Sequence, residues 1–174
     1  MRNIEKILEH NGKFVAEKQY EKFASTKYPA QKLAILTCMD ARLTELLPAA
    51  LGLKNGDAKI IKTAGAIISH PYGSVMRSLI VAVFALGVEE VLVVGHHDCG
   101  MQNFDAEKYM PKRALNEARE SGVDVDKWLQ GFASAEESVR RSVDMIRNHP
   151  FMPGDISVRG FVMDPTTGKL DPVA

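Results

Sequence analysis

The sequence contains little that would direct the protein to a membrane or to nucleic acid. Its 174 residues include 22 Lys and Arg and 22 Asp and Glu, so the formal net charge is zero. Without a basic excess, a protein has no general electrostatic attraction for phosphate backbones or anionic lipids. No apolar run approaches the roughly 20 residues of a transmembrane helix, and residues 1–23 carry charges throughout instead of an apolar signal-peptide core. We therefore expect a cytoplasmic protein that binds neither nucleic acid nor membranes.

Cysteine is also scarce, since Cys38 and Cys99 are the only two in the chain. A secreted domain of this size that relied on disulfides would usually carry more. In a reducing compartment, two cysteines near histidine and aspartate more often bind a metal or take part in catalysis. Two simpler roles stay open, namely small buried hydrophobic side chains and a Cys38–Cys99 disulfide. The chain also lacks a G-x-G-x-x-G or P-loop pattern, which disfavours a dinucleotide or phosphate site.

Hydrophobic patterning predicts strands that alternate with helices. Short apolar runs predict four strands, at about residues 32–37, 58–63, 90–95 and 155–164. Segments with helical periodicity lie between them, at about residues 43–52, 74–86 and 134–149. A charged amphipathic helix is expected at the N-terminus, over about residues 2–24, where the pair Asn11–Gly12 can interrupt it.

This alternation predicts an α/β fold with a mostly parallel central β-sheet of four to five strands flanked by helices. An N-terminal helical arm precedes the sheet. A chain of this length favours one domain with a proper core. We expect a single domain over residues 1–174, in which the arm covers residues 1–28 and the α/β core covers residues 32–174.

Two short motifs place reactive side chains directly after predicted strands. Cys38, Asp40 and Arg42 form C-x-D-x-R after the first strand, and His96 and Cys99 form H-x-x-C after the third. Ligands of such sheets bind at the carboxyl ends of the strands, so both motifs fall on the ligand-binding edge. Thiolate and imidazole suit zinc, whereas magnesium and calcium prefer oxygen. The sequence therefore predicts a zinc ion held by Cys38, His96 and Cys99.

Three protein ligands leave the fourth zinc position open, as in catalytic zinc sites. His97 is disfavoured there because neighbouring residues in an extended chain point to opposite faces, so water or Asp40 takes the position. Zinc would lower the pKa of bound water from about 15.7 toward about 7. Asp40 would then accept a hydrogen bond from the hydroxide, and Arg42 would hold Asp40 in place and ionised. The alternatives are a purely structural Asp40–Arg42 ion pair and a site that Asp40 closes.

The other histidines lack such a setting. His10, His70 and His149 are expected at the surface or in loops. His97 is expected to line the pocket or the surface. Its place in the sequence beside His96 makes it a candidate proton shuttle, because an imidazole titrates near neutral pH.

The segments "KLAILTCMDARL", "GDAKIIKTAGA" and "RSLIVAVFALGVEEVLVVGHHDCGM" resemble the β-class carbonic anhydrases, especially the compact prokaryotic type. The resemblance implies reversible hydration of carbon dioxide to bicarbonate and a proton by zinc-bound hydroxide, the activity of a zinc lyase. It implies one Zn²⁺ per subunit on Cys38, His96 and Cys99, with Asp40 and Arg42 as the catalytic dyad. It also implies a homodimer or a dimer of dimers, in which the N-terminal helix packs on the neighbouring subunit.

Two positions depart from the pattern usual in that family. The usual "RNAGG" after the second strand is "KTAGA" here, at residues 62–66, and His97 replaces a threonine inside H-x-x-C. These changes bear on the polarity of the cleft and on the substrate more than on metal binding. Two other functions therefore stay open. One is hydrolysis of carbonyl sulfide or carbon disulfide at the same zinc site, and the other is a non-catalytic zinc-binding protein whose metal is closed by Asp40.

Overall fold

The computed structural model describes residues 2–174 and contains one five-stranded sheet. The strands, β1 to β5, are Leu33–Cys38, Ala58–Thr63, Glu90–His96, Ser157–Met163 and Leu170–Pro172. Their order across the sheet is β2-β1-β3-β4-β5, in which β1 to β4 are parallel and β5 runs antiparallel to β4. The predicted α/β class and mostly parallel sheet are confirmed, and the four predicted strands all form.

Helices connect the strands. The α-helices, α1 to α7, are Asn3–Ala16, Leu43–Ala50, Ser74–Leu86, Ala106–Tyr109, Lys112–Glu120, Val125–Trp128 and Ala135–Arg147. Two short 3₁₀ helices cover Gln19–Phe23 and Ala64–Ala66. No helix within residues 2–174 has both the length and the apolar character needed to span a bilayer.

The N-terminal helix differs from the prediction in its extent. Helix α1 continues through Gly12 and ends at Ala16, so the expected interruption and the expected end near residue 24 are both wrong. A glycine costs only about 1 kcal/mol within a helix, and the rest of α1 outweighs that cost. The chain leaves the helical conformation at Lys18, whose φ of 54° is left-handed.

The centre of the sheet is fully buried. All six residues of β1 are buried, and α7 covers β3 and β4 with the buried side chains of Val139 and Val143. The approach is close, because a Cβ added at Gly95 or Gly160 would lie 2.7 or 2.6 Å from a methyl carbon of Val139. Glycine at both positions therefore lets α7 lie directly on the sheet.

The arm has a different environment. No residue of α1 is buried, and its apolar side chains Ile4, Ile7, Leu8 and Val15 are each more than half exposed. The ring of Phe14 contacts Phe23 of the following 3₁₀ helix, with centroids 6.1 Å apart. An apolar stripe on the arm is thus left uncovered by the chain itself.

Candidate metal centre

The carboxyl ends of β1 and β3 bring three potential metal ligands together. Cys38 ends β1, His96 ends β3, and Cys99 lies in the turn that follows. Their ligand atoms lie within 4.8 Å of one another and all three residues are buried. The two sulfurs are 3.8 Å apart, and both cysteines are free thiols. Among residues 2–174 this is the only group of three or more such side chains with metal-binding spacing, and it could hold a metal ion.

The imidazole of His96 is oriented for coordination. Its Nδ1 lies 2.8 Å from the carbonyl oxygen of His97, so Nδ1–H donates there and Nε2 carries the lone pair. Nε2 is buried and has no hydrogen-bond partner, alone among the buried side-chain nitrogens and oxygens of residues 2–174. Leaving a buried polar group unpaired costs about 1–3 kcal/mol. Metal-ligating histidines commonly donate their other N–H to a carbonyl in this way, so the unpaired Nε2 fits a metal ion.

The hydrogen bond between the two thiols separates their pKa values. The hydrogen bond from Cys99 lowers the pKa of Cys38, and the N–H of Gly65, 3.4 Å from the sulfur, acts in the same direction. The same interaction with Cys38, together with burial, raises the pKa of Cys99. Burial lowers the pKa of His96, but the neighbouring Cys38 raises it by more. The pKa of His96 therefore lies above its usual value. The two thiols therefore differ in pKa, and a bound cation would favour the thiolate form of both.

Arg42 fixes Asp40 beside these donors. Nε and Nη2 of Arg42 donate to the two carboxylate oxygens of Asp40 at 3.0 and 2.9 Å, and the Arg42 backbone N–H donates at 2.9 Å. The side-chain hydrogen bonds lower the pKa of Asp40 to about 2. One Asp40 oxygen lies 3.8 Å from Nε2 of His96. Asp40 is thus an ionised carboxylate next to the group formed by the two cysteines and His96, and is not part of that group.

Asp98 is a site residue that the sequence analysis missed. Nη1 of Arg42 donates to the Asp98 carboxylate at 2.9 Å, and Nη2 donates to the Asp98 carbonyl at 2.8 Å. The backbone of Asp98 has a φ of 54°, a left-handed conformation that Asp adopts more readily than most residues. Its place between His96 and Cys99 was the available signal. Arg42 therefore joins the turn after β1 to the turn after β3.

An apolar cleft of about 330 Å³ opens beside the ligand atoms. The residues that line it are Cys38, Met39, Asp40, Ala64, Gly65, Cys99, Gly100, Met101 and Phe104. Gly65 has a φ of 70°, and a Cβ there would lie 2.9 Å from the ring of Phe132. In the same "KTAGA" segment, Lys62 donates to the Thr44 hydroxyl at 3.2 Å and is not among the residues that line the cleft.

The remaining histidines only partly follow expectation. His97 is exposed and lies outside the donor group, and its role as a proton shuttle stays a prediction. His10 and His70 are exposed as expected, and His149 lies in a loop as expected, although its side chain is buried. Its ring joins two loops, since Nε2 donates to the carbonyl of Pro71 at 2.9 Å and Nδ1 accepts from a backbone N–H after α7 at 3.2 Å.

Comparison with known proteins identifies relatives along nearly the whole chain. The carbonic anhydrase family model matches residues 33–170. The protein YvdA of Bacillus subtilis is 55% identical over 181 residues, which cover 99% of this chain and 92% of that protein. β-Carbonic anhydrase 1 of Mycobacterium tuberculosis is 37% identical over 145 residues, or 83% of each chain. A carbon disulfide hydrolase of Acidianus is 30% identical over 160 residues, covering 80% of this chain and 76% of that enzyme.

The fold agrees with these matches. The crystal structure of a β-carbonic anhydrase from Trichomonas vaginalis superimposes with a TM-score of 0.89 at 30% sequence identity, covering 99% of this chain and 98% of that one. The matched region includes all three potential metal ligands and both residues of the Asp40–Arg42 pair. The chain therefore belongs to the carbonic anhydrase family, and within that family to the β class.

Proposed function

We propose that this protein catalyses the reversible hydration of carbon dioxide, with one Zn²⁺ held by Cys38, His96 and Cys99. Two sulfur donors and an imidazole nitrogen are a ligand set that favours zinc over magnesium or calcium. When bound in such a site, zinc lowers the pKa of coordinated water to about 7 and so makes a nucleophile available at neutral pH. The observation that carries the proposal is the position of this donor set, beside the ionised Asp40 and open to an apolar cleft.

The protein's own groups account for the remaining requirements. Carbon dioxide is small and uncharged, so the cleft formed by Ala64, Met101 and Phe104 admits it without a charged partner. Asp40 accepts a hydrogen bond from the attacking oxygen and directs its lone pair to the carbon. A new C–O bond forms, one C=O π bond becomes a C–O⁻ group, and the proton lost from water leaves to buffer. Arg42 keeps Asp40 charged and in position throughout.

An open metal site is favoured over one that Asp40 closes. Both carboxylate oxygens of Asp40 already accept hydrogen bonds from Arg42. Moving Asp40 onto the metal would break this paired interaction and leave Arg42 with Asp98 alone. The pairing of Asp40 with Arg42 therefore supports an active enzyme over the non-catalytic alternative.

Hydrolysis of carbon disulfide is the second candidate, supported by the 30% identity to the Acidianus enzyme. Carbon disulfide is linear and apolar like carbon dioxide, so the apolar lining of the cleft suits both molecules. Greater similarity to the Mycobacterium tuberculosis β-carbonic anhydrase, at 37% identity, favours carbon dioxide as the substrate.

The proposal is tested by stopped-flow hydration of carbon dioxide on zinc-loaded protein, at about pH 7 and about pH 9. We expect activity at both pH values, loss of zinc and activity in C38S, and loss of activity with zinc retained in D40N. Activity at the higher pH alone would support closure by Asp40 near neutrality. Zinc-loaded protein that is inactive at both pH values would refute the proposal, and sulfide release from carbon disulfide or carbonyl sulfide would then identify the second candidate.

We also propose that the protein is a homodimer or a dimer of dimers in the cytoplasm, where its two thiols stay reduced. The uncovered stripe of α1 supports this assembly, because exposed apolar stripes of this kind usually mark protein contacts. Sedimentation analysis of the double variant I7E/L8E should show a smaller species than the wild type. The control K6E changes the charge of α1 outside the stripe and should leave the assembly intact. Identical sedimentation of the wild type and I7E/L8E would refute the role of the stripe.

A further inference from the structure

A second, smaller pocket lies away from the proposed metal centre. It occupies about 110 Å³ between α7, α6 and the segment at residues 67–69. Its polar and charged lining residues are Ser69, Lys127, Gln130, Ser138, Arg141 and Ser142. The pocket shares no lining residue with the cleft beside Cys38. It is therefore a separate feature of the molecule.

The charge of this pocket is entirely positive. Arg141 reaches it from α7 and Lys127 from α6, and no carboxylate is among the residues that line it. Neither cation forms an ion pair with a carboxylate anywhere in residues 2–174. Two cations from different helices that converge on one small space without an acidic partner favour an anion.

The uncharged groups of the pocket are also suited to an anion. Ser138 is only 5% exposed, and its hydroxyl takes part in none of the side-chain hydrogen bonds of α7. Because this unpaired hydroxyl is not among the fully buried atoms, it is open to the pocket and can donate its proton to a ligand, and the amide of Gln130 offers two more donors. Ser142 donates to the carbonyl of Ala66 at 3.2 Å, which joins α7 to the 3₁₀ helix Ala64–Ala66 beside the pocket.

The volume limits the class of ligand. Pockets for drug-sized molecules and cofactors occupy about 300–1,000 Å³, so a space of about 110 Å³ is too small for a nucleotide. It accommodates one small inorganic anion. The donors around it match the oxygens of bicarbonate, sulfate or phosphate, which accept several hydrogen bonds at once.

We propose that this pocket is a binding site for a small oxyanion, held by Arg141, Lys127 and the hydroxyl of Ser138. The site does not depend on the metal or on the proposed hydration reaction, because none of its donors belongs to the metal centre. Arg141 supplies a planar fork that bonds two oxygens of one anion, and Lys127 supplies a point charge from α6.

The test is an NMR titration of the full-length, metal-loaded protein with sodium sulfate, in which sodium chloride keeps the ionic strength constant. We expect saturable shifts of the Ser69, Ser138 and Ser142 amide signals, with a Kd on the order of 1 mM. In R141Q the Kd should rise roughly tenfold or more, since a charge-assisted pair of hydrogen bonds is lost. The control R159Q removes an exposed arginine of β4, outside the pocket, and should titrate like the wild type.

Titrations with phosphate and with bicarbonate then rank the anions of this class by Kd. Shifts that fail to saturate, or that are equal in the wild type and R141Q, would overturn the proposal. Saturable shifts confined to the amides of Gly65 and Gly100 would overturn it as well, because they would place the anion at the metal centre.

Discussion

Replacement of Gly65 by alanine tests how closely the "KTAGA" segment is packed against the proposed metal centre. The added Cβ would lie 2.9 Å from the Phe132 ring, 3.0 Å from the Met101 Cβ and 3.1 Å from the Ile67 Cδ1. All three contacts are with side chains that are buried or packed on the core, so they yield little. The backbone at Gly65 is also left-handed, with a φ of 70°.

The backbone conformation and the close contacts together set the expected loss of unfolding free energy. A left-handed conformation costs an alanine about 1–2 kcal/mol, and overpacking of a well-filled region costs about 1–3 kcal/mol. G65A should therefore lose about 2–5 kcal/mol, a large part of the roughly 5–15 kcal/mol that stabilises a typical domain. For a protein of this size the melting temperature should fall by about 4–20 °C.

A second glycine supplies a matched control. Gly52 has a φ of 66°, similar to that of Gly65, but a Cβ there would meet no atom within 4 Å. G52A should therefore show the backbone cost of about 1–2 kcal/mol and no packing cost. The assay is urea unfolding of both variants, followed by circular dichroism. Equal losses of unfolding free energy in G65A and G52A would refute the packing argument.

Three further predictions concern other parts of the molecule. D98A should leave zinc content unchanged and reduce carbon dioxide hydration only about twofold to fivefold, because exposed ion pairs are weak and Asp40 still holds Arg42; a larger loss in stopped-flow assays would contradict this. H149L should lower the free energy of unfolding in urea by about 1–3 kcal/mol, since it removes two part-buried hydrogen bonds, to the Pro71 carbonyl and from the Phe151 N–H, that are worth about 0.5–1.5 kcal/mol each, and a stability within error of the wild type would contradict it. Hydrogen bonds from Thr166 lower the pKa of Asp164 from 3.8 to about 2. The difference in unfolding free energy between wild type and D164N should therefore be constant above about pH 5 and shrink as the pH falls from about 4 through 2. A difference that is independent of pH down to about 2 would contradict this prediction.

The sequence was sufficient to predict the parts of the fold that depend on local patterns. Apolar runs placed β1 to β4, and the side chains that follow β1 and β3 were expected at one edge of the sheet because parallel strands end together. Cys38, His96 and Cys99 do lie together there, although the zinc itself stays a proposal.

Features that depend on long-range contacts were not predictable in the same way. The place of Asp98 between His96 and Cys99 marks it as a residue near the site, but its contact with Arg42 depends on a left-handed backbone at Asp98 that the sequence spacing does not reveal. His149 resembles any polar residue at the end of a helix until the loop at Pro71 covers it. The three short helices α4 to α6 have too few residues for a clear periodic pattern.

The metal centre also has a consequence for how the protein folds. Its potential ligands come from β1, from β3 and from the turn after β3. The paired residues Thr37 of β1 and Val94 of β3 are 57 positions apart, and the Thr37 hydroxyl donates to the Val94 carbonyl at 3.0 Å. A slip of two residues between the strands would displace Cys38 from His96 by about 6.6 Å, more than the 4.8 Å that the three ligand atoms span. A metal ion could thus be bound by all three residues only after the two central strands have found their register. The rate of metal uptake during refolding would then report when the central sheet is complete. The ion would stabilise the folded chain but would not take part in the early steps of folding.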